Sequence, residues 1–123
     1  MNDVGNQLHF RRRQHVLVTL LGFVCAAECA AAENYPIPSD FWARPRSGLA
    51  VLHQPSIRAV IGAAVENPAG RVVIHYPPGD EPQLQAAELR YWLTALAVDP
   101  EAIQLQDDLR PSEPLMLELR EVK

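Results

Sequence analysis

Past residue 32 the chain carries two histidines, His53 and His75, and no cysteine. His75 sits near the end of an apolar run, Arg71–Tyr76 (RVVIHY), and a polar loop follows it. The carboxyl end of such a strand is where open α/β sheets place ligands. To work as a general base, His75 needs a nucleophile or a second carboxylate within hydrogen-bond reach. Asp80 is the nearby candidate. The plainer reading is a strand-end histidine bonded to backbone or water. No HExxH, no paired metal-ligand spacing and no GxSxG turn is present. Residues 77–80 (PPGD) do not make a phosphate cradle: Pro77 and Pro78 lack N–H donors, and no lysine is there. The pattern calls for no catalytic residue, no metal and no cofactor, so the expectation is that this is not an enzyme.

Two other groups of residues suit binding. Arg90 falls away from the apolar stripe of its segment by helical spacing. It is either a solvated arginine paired with Glu88 or Asp80, or a clamp for a carboxylate, which a guanidinium grips with two parallel bonds. Phe41, Trp42, Arg44 and Arg46 lie in a proline-rich stretch, FWARPR. Tryptophan and arginine are enriched where binding energy concentrates. The stretch is either a docking peptide or a flap whose Trp42 folds back over an edge of the core.

These residues need elements to hold them. Leu49–His53 (LAVLH) suits a short strand. Pro55 fits a helix start, and Ile57, Val60, Ile61, Ala64 and Val65 mark one helical face. The breakers at Asn67–Gly70 end it. Val72, Val73 and Ile74 are continuously apolar, as in a strand covered on both faces. Asp80, Glu81 and Pro82 suit the first turn of a second helix. That helix presents Leu89, Trp92, Leu93 and Leu96 on one face and stops at Asp99-Pro100. Ala102–Gln106 alternates as a strand with one polar face, and Leu115–Leu119 is a last strand. The expected fold is a small two-layer α/β sandwich, β-α-β-α-β-β, with a mixed sheet. Its helix is expected to hold Trp92 against the sheet.

The first third does not resemble domain sequence. Arg11, Arg12 and Arg13 precede an uncharged apolar run, His15–Ala27, and small residues end at Ala32. A basic segment, an apolar run and an A-x-A site make a secretory signal peptide. The run is short for a span, which takes ~20 apolar residues. The expected organisation is signal peptide 1–32, extended Pro/aromatic arm 33–48 and α/β domain 49–123. An uncleaved anchor is the alternative. Cys25 follows Val24 and Cys29 follows Glu28, so neither has the small residue that a lipidated cysteine requires.

Of 11 Lys+Arg and 15 Asp+Glu, removal of residues 1–32 takes Arg11, Arg12, Arg13, Asp3 and Glu28. That leaves 8 against 13, a net charge of −5. An acidic chain disfavours nucleic acid and anionic lipid as partners. The expected location is periplasmic or secreted, with no membrane span after cleavage.

From Leu49 to about Gln106 the layout resembles the OmpA-like periplasmic domain. HYPPGD follows a strand, and LRYWLTALAVDPEAI is similar to that family's helix-then-strand junction. The resemblance implies a peptidoglycan-binding module, with Asp80 as the loop aspartate and Arg90 as the helix arginine that binds the peptide stem. The family's aspartate follows its loop histidine by two residues, whereas Asp80 follows His75 by five. Three functions therefore stand at this point. One is an exported, non-catalytic accessory domain that binds another envelope protein. The second is a peptidoglycan-binding module using Asp80 and Arg90. The third is a small periplasmic enzyme using His75.

Overall fold

The computed structural model describes residues 33–121. The expected signal peptide, with both cysteines, lies outside the described residues. The elements run β1 (Glu33–Pro36), α1 (Gly48–His53), α2 (Pro55–Glu66), β2 (Arg71–His75), α3 (Asp80–Ala95), β3 (Ile103–Gln106) and β4 (Met116–Arg120). Short 3-10 turns occur at Ser39–Phe41 and Pro100–Ala102. With α1 and α2 filling one connection, the order is β-α-β-α-β-β, the expected small α/β domain. Among the described residues no helix is long and apolar enough to cross a membrane.

One expected element is different. Leu49–His53 is helix α1, not a strand, and the first strand is β1, from the start of the expected arm. A short apolar run does not distinguish helix from strand. The helix start was written in Ser47, whose hydroxyl accepts from the Ala50 N–H at 3.2 Å. Serine at that position satisfies an otherwise unpaired donor. Val51 is buried while Leu49 and Leu52 face outward, a spacing that one helical turn produces.

The sheet order is β1-β4-β2-β3. β4 runs antiparallel to both β1 and β2, and β2 pairs parallel with β3. β1, β2 and β3 therefore point the same way. Both crossovers, β1 to β2 and β2 to β3, step in the same direction along the sheet. Right-handed crossovers of that kind put their helices on one face. The core confirms this: Ile57 and Val60 of α2 and Ala86, Leu89 and Leu93 of α3 cluster with Val72, Ile74, Leu117 and Leu119. Trp92 is half-buried beside that cluster, not central to it. β1 is a polar edge strand ending in Pro36, a place where proline costs no ladder bond. Ser56 Oγ donates to the Pro36 carbonyl at 2.5 Å and ties the start of α2 to β1.

Among the described residues, no helix packs on the other face of the sheet. Side chains alternate along strands, so β2 turns Arg71, Val73 and His75 to that face. By register Glu118 lies opposite both Val73 and Asn34. Val73 is fully buried there, apart from the helix-side cluster.

Helix α3 ends earlier than Asp99-Pro100. Ala97 takes φ 74°, the Val98 N–H donates to Leu93 O at 2.9 Å, and the Ala97 N–H donates to Thr94 O at 3.1 Å. This is a Schellman end with alanine where glycine is preferred. The left-handed conformation costs an L-residue roughly 1–2 kcal/mol. Part of that is offset by the extra entropy a glycine loses on folding. Ala97→Gly is therefore expected to stabilise the fold by about 0.5–1 kcal/mol, read as a raised urea midpoint with unchanged slope.

Candidate functional site

Because β1, β2 and β3 are parallel to one another, their carboxyl ends open at one edge of the domain. Three segments meet there: residues 37–43 after β1, 76–82 after β2 and 107–115 before β4. They build two features.

The first is a charged latch on the helix-free face. His75 Nδ1 lies 2.8 and 2.9 Å from the two carboxylate oxygens of Asp108, and its Nε2 lies 2.6 Å from Glu118 Oε2. Arg120 Nη2 donates to the same Glu118 oxygen at 3.2 Å. The His75 and Glu118 side chains are only 13% and 11% exposed, so solvent screens this contact weakly. A neutral imidazole has one N–H and one lone pair, and would turn that lone pair towards a carboxylate. The imidazolium satisfies both. Burial opposes the charged ring, but the bonds to Glu118 and Asp108 prevail and raise the His75 pKa above its ordinary 6.5. Burial also opposes the Glu118 carboxylate, yet His75 and Arg120 hold its pKa below 4.5. With both nitrogens engaged, the ring has no free position for a substrate proton. Among the described residues, no three His, Cys, Asp or Glu groups converge where a metal ion would sit.

The second feature is an open cleft of about 470 Å³ on the other side of the same edge. Ile37, Pro77 and Leu115 are the buried residues of its lining. Trp42, Pro82 and Pro114 supply apolar surface, and Glu81 and Glu113 supply carboxylates. The prolines fix backbone angles, so these walls are largely pre-set.

The sequence candidates fall out as follows. Trp42 and Arg46 are brought together: the Arg46 guanidinium lies 5.3 Å from the Trp42 ring centroid and donates to the Trp42 carbonyl at 2.9 Å. Arg46 Nε also donates to Glu88 Oε1 at 2.5 Å, and Trp92 Nε1 donates to the same oxygen at 3.2 Å. Glu88 thus pins the Trp42 segment to α3. Phe41 is 7% exposed and packs edge-on to Trp42 with centroids 4.9 Å apart, so it belongs to the core. Arg44 pairs with Asp40 at the surface at 2.6 Å.

His75, Asp80 and Arg90 are not brought together. His75 is held by Asp108 and Glu118, and Asp80 lies in the first turn of α3. Ten residues of helix set Asp80 and Arg90 ~15 Å apart along the axis, too far to grip one carboxylate jointly. The segment matched to the OmpA-like first strand is helix α1. Sequence reading missed Asp108 and Glu118. Glu118 was detectable, since a carboxylate within the apolar run LMLEL needs a cationic partner. Asp108 carried no local signal.

No family model matches the chain, and no curated protein or solved structure matches it either.

The latch makes stability depend on pH in two directions. His75, with its pKa raised by folding, stabilises fully below about 6.5 and less as pH climbs through the folded value. Glu118, with its pKa lowered, stabilises above about 4.5 and less as pH falls through the folded value. The latch is therefore strongest between those limits. Urea midpoints measured from pH 3 to 9 are expected to peak in that window. His75→Ala is expected to flatten the fall on the alkaline side and to cost roughly 1–3 kcal/mol at the peak.

Proposed function

We propose that this chain is an exported, non-catalytic accessory domain that binds another envelope protein through the cleft at the carboxyl edge of its sheet. The observation that carries the proposal is the cleft itself, with Trp42 held in its wall by Arg46 and Glu88. Its size lies within the range of roughly 300–1,000 Å³ over which ligand sites occur. A tryptophan fixed before the partner arrives loses little entropy on binding. The leader-like segment 1–32 supports export. The latch supports a non-catalytic role, because it commits His75 to contacts with Asp108 and Glu118.

The test is photo-cross-linking in intact cells, with a photoreactive residue in place of Ser112 on the cleft wall. The expected result is an adduct with one envelope protein. That adduct should be lost in Trp42→Ala and in Ala43→Tyr, which fills the cleft from an exposed position. A label at Leu84, exposed on α3 and outside the cleft lining, should not give it. Equal adducts from both labels, adducts only with cell-wall fragments, or none from Ser112, would contradict the proposal.

A further inference from the structure

Resting on that protein-binding reading, we infer that the cleft takes an extended, cationic segment of the partner, with an arginine or lysine side chain held by Glu81 and Glu113. Among the described residues the lining contains both carboxylates and no lysine, arginine or histidine. Arg44 pairs with Asp40 and Arg46 with Glu88, and the exposed Arg110, next to Pro111, is not among the lining residues. Among the described lining residues no cationic side chain balances Glu81 and Glu113.

Each carboxylate is also kept in place. Glu81 sits in the first turn of α3, which fixes its place at the mouth of the cleft. Glu113 Oε2 accepts from the Arg110 N–H at 2.9 Å, which orients the group and leaves its second oxygen for a ligand. A cationic side chain has an apolar stem as well as a charged head. Trp42, Pro82 and Pro114 offer surface for the stem, and the two glutamates offer acceptors for the head. The remaining volume suits the neighbours of that side chain in an extended conformation, not a folded domain. An anionic segment would bring like charges together and is disfavoured. The net charge of −5 on residues 33–123 acts in the same sense at longer range.

The experiment titrates the full chain with acetylated, amidated pentapeptides that differ only at the central position. That position holds arginine, glutamine or glutamate between prolines, and calorimetry reads the affinity. The arginine peptide is expected to bind about tenfold or more tightly than the glutamine peptide, with the glutamate peptide weaker still. The preference should fall to about threefold or less in Glu81→Gln/Glu113→Gln and should weaken as salt rises. Both glutamates are exposed, so the double variant keeps its core. Equal affinities for the three peptides, a preference that survives the double variant, or no binding at millimolar concentration would overturn the inference. A Ser112 adduct with an envelope protein but no charge preference overturns this inference and leaves the protein-binding reading standing. A clear charge preference with no envelope adduct overturns the protein-binding reading and leaves only the preference of the cleft for a cationic side chain.

Discussion

Leu117 lies opposite Tyr35 on one side and Ile74 on the other. That double pairing of β4 is the constraint on which the rest of the structure depends. β4 is the last strand in sequence, yet it is inserted between the first two. Without it, β1 has no neighbour in the sheet and β2 keeps only β3. Insertion also brings the loop 107–115 back over the carboxyl edge. The same loop then supplies Asp108 to the latch and Pro114 and Glu113 to the cleft.

The two faces of the sheet follow from the direction of its crossovers. Both step the same way, so α2 and α3 share one face and bury one cluster. The other face is left to short-range means of exclusion. There Val73 is buried on a surface that carries charge, and the His75–Glu118–Arg120 row with Asp108 organises that charge. A carboxylate as shielded as Glu118 is costly unless paired, and in this fold its partners are a histidine and an arginine from neighbouring strand positions. The latch is thus a structural solution first. Its sensitivity to proton concentration is a consequence of using histidine.

Much of the architecture was legible in the sequence. RVVIHY is too apolar and too β-branched for a solvated segment, and β2 is there. The stripe at Ile57, Val60 and Ile61 and the breakers around it gave α2, and the spacing of Leu89 and Leu93 gave α3. Two elements were not legible for physical reasons. Glu33–Pro36 is polar because an edge strand needs only backbone pairing on one side, so it leaves little trace in hydropathy. Leu49–His53 has no second apolar repeat to fix its period, and its cap at Ser47 was the better signal. At the candidate site, Trp42 with Arg46 was legible as a pair. The contact with Glu88 was not, since it spans 42 positions. Arg90 and Asp80 were drawn together by family layout, and the rise of a helix keeps them apart.

The most direct measurement is a set of cross-strand nuclear Overhauser effects in the full chain. The account predicts that Leu117 shows contacts to Tyr35 and to Ile74 in the same sample, and that Leu119 shows them to Glu33 and Val72. Contacts from β4 to β2 alone, with residues 33–36 unpaired, would contradict it: the central strand would then be an edge, and the segment carrying Trp42 would have no fixed place at the cleft.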